Sequence, residues 1–136
     1  MIASVEAFTL ALQDDFNSTF LRAGPTPCDW PNASFVVPEP SVLWVRFRIL
    51  WGTAFQAGFG TPKRFRHPGV LSVGIFAPLH AGEASELAFA ASIAARYTSA
   101  DLAEAQFGTA TVLPGRRDGA RWFVPVECPF FADRTA

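Results

Sequence analysis

This chain contains two regular runs, L-W-V-R-F-R-I-L-W at residues 43–51 and R-H-P-G-V-L-S-V-G-I-F-A-P at residues 66–78. In the first run, apolar side chains occupy every second position, and Arg46 and Arg48 lie between them. The alternating apolar positions of the two runs are Leu43, Val45, Phe47, Ile49, Trp51, Leu71, Val73, Ile75 and Ala77. A period of two predicts two β-strands, each with one packed face and one partly solvated face.

The segment that joins these runs, residues 52–64, reads G-T-A-F-Q-A-G-F-G-T-P-K-R. About two to five residues are enough to join antiparallel strands, so its length predicts a role beyond connection. Phe55 and Phe59 can anchor an apolar contact, and Lys63 and Arg64 can attract an acidic partner. We expect this loop to contact another protein and to become ordered on docking. Alternatively, both phenylalanines fold back on the sheet edge.

Two amphipathic helices are predicted on either side of these runs. The first follows Ser4, which is expected to be its N-cap, and its apolar residues recur at intervals of three or four until about Arg22, before Gly24-Pro25 stops it. The second begins at Glu83 and ends near Tyr97, with an alanine-rich face that allows close approach to a sheet.

Two further strands are predicted at residues 107–113 and 121–131, with a turn at residues 115–119. The element order is then α-β-β-α-β-β. The simplest way to bury these apolar faces is an α+β fold with two helices packed on one face of a mostly antiparallel four-stranded sheet. At this length we expect a single domain that spans residues 1–136.

Two prolines restrict the last predicted strand. Pro125 and Pro129 are four residues apart, so the positions that lack an N–H group fall on the same edge. A proline cannot donate to a β-ladder, and we therefore expect this strand at the border of the sheet. The side chains expected to face inward are Trp122, Val124, Val126 and Cys128.

The composition favours a protein that makes contacts between subunits. Hydrophobic residues make up 50% of the chain and charged residues 17%, with fourteen Phe and four Trp. These large side chains exceed what one small core needs, so part of the excess is expected at subunit contacts. The formal net charge of −1 gives no electrostatic footprint for general nucleic-acid binding.

The sequence also bears on the cellular compartment. The N-terminus has neither the basic start nor the unbroken apolar run of a signal peptide, and no stretch reaches the ~20 apolar residues of a membrane span. We therefore expect synthesis in the cytosol. Cys28 and Cys128 are expected to be free thiols there, with a disulfide between them as the open alternative.

No combination of residues indicates catalysis, a cofactor or a metal site. His80 and Glu83 are three residues apart, but no third ligand accompanies them. Cys28 and His67 lack the surroundings that activate a nucleophile. We expect a protein that is not an enzyme and that has no cofactor.

The basic cluster K-R-F-R-H at residues 63–67 allows three interpretations. It can be a solvated strand entry, or a charged rim at a subunit interface or central channel. It can also be a nucleic-acid site in which Phe65 stacks on a base. The first interpretation is the simplest, and the other two stay open.

The second run extends into a longer motif, R-x-x-G-V-L-x-V-x-I-F-A-P-x-x-x-G-E, over residues 66–83. W-P-N-x-x-F at residues 30–35 and F-G-T-P at residues 59–62 add to it. With these strand, turn and cap patterns, the chain resembles the lambda-like tail terminator proteins of long-tailed bacteriophages over residues 29–133.

The resemblance implies a structural virion protein of the tail or neck, assembled in the host cytoplasm. It implies a ring, as a hexamer, that stops tail-tube growth on one face and joins the head–tail connector (stopper) on the other. The implied partners are other copies of the chain, the tail tube protein and the connector, with DNA passing through the ring but no specific nucleic-acid binding and no membrane. Residues expected at the subunit or tail-tube interface are Phe55, Phe59, Lys63, Arg64, Arg66 and Phe131.

Two alternative functions stay open. One is a different head–tail connector or neck protein. The other is a small ligand- or nucleic-acid-binding module that uses residues 63–67. A strict monomer with salt-sensitive nucleic-acid binding would favour the module, whereas a native mass of several subunits would favour the ring.

Overall fold

A computed structural model describes residues 1–22 and 26–135, and within them nine strands form one mixed sheet. The strands are β1 (Cys28–Asp29), β2 (Trp44–Trp51), β3 (Phe55–Gly58), β4 (Arg64–Pro78), β5 (Asp101–Leu102), β6 (Ala105–Phe107), β7 (Thr111–Val112), β8 (Arg116–Asp118) and β9 (Arg121–Thr135). The helices are α1 (Val5–Phe16), which continues into a π-helical segment at Asn17–Leu21, and α2 (Ala84–Tyr97).

The strands β4 and β9 form the centre of the sheet. Each is 15 residues long, and they pair antiparallel along their whole length, from Arg64 opposite Thr135 to Pro78 opposite Arg121. On the outer side of β4, β2 and β3 pair antiparallel with it one after the other, and β1 pairs parallel with β2. On the outer side of β9, β8, β7 and β6 pair antiparallel in succession, and β5 pairs with β6.

The expected four-stranded sheet and its α-β-β-α-β-β order are wrong. The segment 52–64 contains β3, the predicted strand at residues 107–113 is broken into β6 and β7, and the predicted turn at residues 115–119 contains β8. The last strand also continues to Thr135. The physical reason is the length of β4 and β9, whose backbone N–H and C=O groups need partners all along both edges. Short segments supply those partners.

The border position expected for the last strand is also wrong, because β9 lies inside the sheet. The constraint from Pro125 and Pro129 is nevertheless visible, since β8, β7 and β6 pair with β9 in three separate segments that leave the prolines between them. At these two positions only the carbonyl is used. The Leu113 N–H donates to the Pro125 carbonyl at 2.9 Å, and the Gly108 N–H donates to the Pro129 carbonyl at 2.8 Å.

One face of the sheet carries the hydrophobic core, as the alternation predicts. Both helices contribute to it, and the central buried side chains are Phe8, Leu12, Phe16, Phe47, Leu71, Val73, Ile75, Ala90, Ile93, Tyr97, Val124 and Val126. Cys128 is buried in the same cluster, whereas Trp122 is only half-buried. The inward orientation expected for β9 is confirmed at all four positions, because the half-buried Trp122 also packs against this cluster.

Each helix follows its predicted boundary signals. The Ser4 hydroxyl accepts a hydrogen bond from the Ala7 N–H at 3.0 Å, which confirms the N-cap of α1. The expected stop at Gly24-Pro25 lies outside the described residues. Asp15 then joins the two helices, because its carboxylate accepts a hydrogen bond from the Tyr97 hydroxyl at 2.9 Å and forms an ion pair with Arg96.

The opposite face of the sheet is partly covered by the segment that precedes β2. Phe35 packs on Trp44 with ring centroids 4.9 Å apart, and Trp44 stacks on Phe76 at 4.0 Å. The buried Arg121 donates from its guanidinium to the carbonyls of Val42, at 2.7 Å, and of Pro38. This cover lies at one end of the sheet, near the end of β4 and the start of β9.

A glycine in the middle of β4 tests this packing. A Cβ atom at Gly74 would lie 2.5 Å from Cε2 of Phe123, so Gly74→Ala is expected to lower the free energy of unfolding by about 1–3 kcal/mol through overpacking. Gly60→Ala is the matched control, because a Cβ atom there meets nothing within 4 Å, and its effect should stay within about 0.5 kcal/mol. Urea unfolding of both variants measures the difference. Equal stabilities would contradict the described contact between Gly74 and Phe123.

Candidate assembly surface

The sheet extends past its helix-covered core as a narrower three-stranded unit, here called the arm. It consists of β3, the turn at residues 59–63, residues 64–66 of β4 and residues 133–135 of β9. The ladder between β2 and β4 ends at Gly69, and beyond that point β3 takes the place of β2. The segment expected to become ordered on docking is therefore already built as a hairpin.

The arm carries the exposed aromatic side chains of the protein. Of the fourteen phenylalanines, all within the described ranges, only Phe55 and Phe59 are exposed, with 51% and 86% of their surface accessible. The alternative in which both fold back on the sheet edge is therefore wrong. Lys63 is exposed on the same turn as Phe59.

The base of the arm is organised around Asp133. Arg66 donates to both of its carboxylate oxygens, from Nε at 2.8 Å and from Nη2 at 3.0 Å. Nε of Arg64 lies 3.7 Å from Oδ2 of the same carboxylate. The guanidinium of Arg66 also lies over the Phe131 ring, 4.0 Å from its centroid. These contacts join β4 to β9 at the base of the arm.

The electrostatics of Asp133 follow from these contacts. Hydrogen bonds from Arg66 lower the pKa of the Asp133 carboxyl below its ordinary value, and the positive charges of Arg66 and Arg64 act in the same direction. Two cations of the basic cluster are therefore engaged within the chain. The third cation of the cluster, Lys63, lies on the turn and is not among the contacts of Asp133.

The structure places five of the six expected interface residues in two groups. Arg64, Arg66 and Phe131 meet at Asp133, whereas Phe59 and Lys63 lie on the turn. Phe55 lies between the groups, opposite Arg66 in the β3–β4 ladder. Asp133 itself was missed, because the predicted strand ended at Phe131 and left this carboxylate outside the sheet.

The residues considered for nucleophilic chemistry are far apart. Cys28 pairs with Val45, which pairs with Ile75, and His67 lies eight residues further along β4, roughly 26 Å away. Both cysteines are free, and burial raises the pKa of Cys28 to about 12 and that of Cys128 to about 11. Thiols of this kind are protonated near neutral pH and are poor nucleophiles.

A cavity of about 300 Å³ opens at the other end of the sheet, where β4 ends. Its apolar wall is formed by Pro78, Leu79, Gly82 and Trp122, and Glu83, Arg117 and His80 lie at its rim. Glu83 accepts a hydrogen bond from the Trp122 indole N–H at 2.9 Å. In the part of the chain that is described, no three His, Cys, Asp or Glu residues are grouped so that they could hold a metal ion.

Neither helix among residues 1–22 and 26–135 has the length and apolar character needed to cross a bilayer. Helix α2, for example, has 14 residues and presents exposed alanines, Ser92 and Arg96 on its outer side.

Comparison with known proteins places the chain in a family. A solved structure of another protein is similar over 94% of both chains, with a TM-score of 0.72 and 16% sequence identity, which shows a shared fold. No curated protein matches the chain. A family model described as phage tail terminator protein matches residues 7–130. Because that match covers most of the sequence, the chain belongs to the phage tail terminator family.

Proposed function

We propose that this structural protein of the phage tail terminates the tail as a closed ring of identical subunits, most simply a hexamer. In this proposal the ring caps the tail tube on one face and joins the head connector on the other. The observation that carries it is the arm, which presents Phe55 and Phe59 to solvent although the core is complete without them. Exposed aromatic side chains on an ordered hairpin are characteristic of contact surfaces.

The charge distribution supports protein partners over nucleic acid. Arg64 and Arg66 are engaged by Asp133, so Lys63 is the cation that the turn offers to a partner. With a net charge of −1, the chain offers DNA little attraction, which suits a ring through which DNA passes without specific binding. Assembly takes place in the host cytoplasm, and the protein then resides in the tail of the virion.

The proposed role is structural and not enzymatic. The thiols of Cys28 and Cys128 have raised pKa values, and His67 lies far from Cys28 along the sheet. His80 lies at the rim of the open cavity, where the neighbouring Glu83 is bonded to an indole. These placements support assembly as the function of the chain.

The exposed aromatics give the first functional prediction. A Phe55→Ser, Phe59→Ser double variant should keep its free energy of unfolding within about 1–2 kcal/mol, because both side chains lie outside the core. It should nevertheless fail to complete tails when it replaces the wild-type protein in a phage that lacks its own copy. Melting temperature and electron microscopy of the particles measure the two effects.

Val36→Ser is the matched control for this variant, because Val36 is 88% exposed but lies on the segment before β2. We expect it to give normal tails. Normal tails from the folded double variant would contradict a contact role for the arm. A collapsed melting temperature would show that Phe55 and Phe59 support the fold.

The ion pairs of Asp133 with Arg66 and Arg64 predict that the stability of the fold depends on pH. The lowered pKa of Asp133 means that its contribution to stability is present above the ordinary aspartate pKa of about 3.9 and is lost as the pH falls through the folded-state value. Asp133→Asn should therefore lower the free energy of unfolding at pH 7, and the difference from wild type should shrink below about pH 4. Urea titrations at several pH values measure this. A difference that is constant with pH would contradict the ion pair.

A further inference from the structure

We propose that Phe59 of one subunit inserts into the cavity at the far end of the sheet of the next subunit. Lys63 of the first subunit then pairs with Glu83 of the second. This contact rests on the proposed ring and specifies its two surfaces. The donor surface is the turn at residues 59–63, and the acceptor is the cavity next to the end of β4.

The cavity has the size and the wall that an aromatic ring requires. Its volume is about 300 Å³, and a cavity of about 150 Å³ lined by apolar side chains is enough to bind benzene. Trp122 forms one wall, and its indole is held by the hydrogen bond to Glu83. Gly115 closes on this pair so tightly that a Cβ atom there would lie 2.4 Å from Nε1 of Trp122. The position of the Trp122 indole is therefore fixed before an aromatic side chain enters the cavity.

The chain cannot fill its own cavity with its own turn. The turn precedes the first residue of β4, and the cavity follows the last residue, Pro78. Fifteen residues of extended strand separate the two by roughly 46 Å. The turn can therefore reach such a cavity only on a second copy of the chain.

Charge favours the same pairing. Lys63 is the one charged residue of the turn, and Glu83 is the one acidic residue at the cavity. Oε2 of Glu83 accepts the indole N–H, and within the described ranges Oε1 has no hydrogen-bond donor. The guanidinium of Arg117, also at the rim, donates from Nε to the Gly119 carbonyl at 3.2 Å. A cation that arrives beside Phe59 thus meets an available carboxylate oxygen.

The geometry gives the contact a direction. The donor turn and the acceptor cavity are different surfaces at opposite ends of the same strand, so the contact is head-to-tail. Contacts of this heterologous type generate rings when the rotation between subunits closes. The contact therefore accounts for a ring without any second kind of subunit.

Charge reversal tests the pairing of Lys63 with Glu83. Lys63→Glu should lower the yield of completed tails by at least about tenfold, because it brings a second carboxylate to Glu83. Adding Glu83→Gln, which removes the repulsion but keeps an acceptor for the Trp122 indole N–H, should raise the yield again by at least about threefold. Lys63→Glu combined with Asp14→Asn is the control, because it changes the net charge by the same amount but replaces an exposed carboxylate on α1 that does not line the cavity, and it should not raise the yield. Melting temperatures exclude loss of folding. Normal tails from Lys63→Glu, or a double variant with Glu83→Gln that is no better than Lys63→Glu alone, would overturn the contact.

Cross-linking provides a second test that leaves Phe59 in place. A Gly60→Cys, Ala81→Cys double variant, oxidised in assembled particles, should give a ladder of covalent multimers that ends at the closed ring, and each single variant should give none. Completed tails without a ladder would overturn the contact. The ring itself is tested separately by the native mass of wild-type protein released from particles. A ring without a ladder refutes only this contact, whereas a released monomer also refutes the proposed ring.

Discussion

The uninterrupted ladder between β4 and β9 is the interaction on which the rest of the structure depends. Its 15 residue pairs hold the core-facing side chains of both strands in register, and they extend past the core to form the arm. β2 and β3 pair directly with one of these two strands, as do β6, β7 and β8. A shift of one residue in this register would turn every inward side chain outward, so the core and the arm are specified together.

The sequence predicts those parts of the fold that have a readable period. The alternation around Phe47 and Val73 predicts β2 and β4, and the Ser4 cap predicts the start of α1. The short strands β5 to β8 have two or three residues each, too few to show any period. The places where β6, β7 and β8 pair with β9 are decided by Pro125 and Pro129, which have no N–H group to donate. Asp133 escapes prediction for a related reason, since its importance depends on Arg66, 67 residues away in the chain.

The sequence predicts where the candidate surface lies along the chain, but it does not predict the hairpin that this segment forms. The length of the segment 52–64 and its two phenylalanines indicate a contact region, and both side chains are indeed exposed. The segment is nevertheless a hairpin whose base is clamped by Arg66 and Asp133. A preordered hairpin loses less conformational entropy on association than a flexible loop, so more of the contact energy remains available for affinity.

The two prolines of β9 also bear on what happens when the protein is damaged. If β6, β7 and β8 were to dissociate from β9, the exposed edge of β9 could pair with strands of other chains, as in amyloid-like stacks. Pro125 and Pro129 remove two N–H groups from this edge, so an incoming strand cannot form a continuous ladder along it. A chain with fourteen phenylalanines and four tryptophans thereby carries a barrier to cross-β aggregation along this edge.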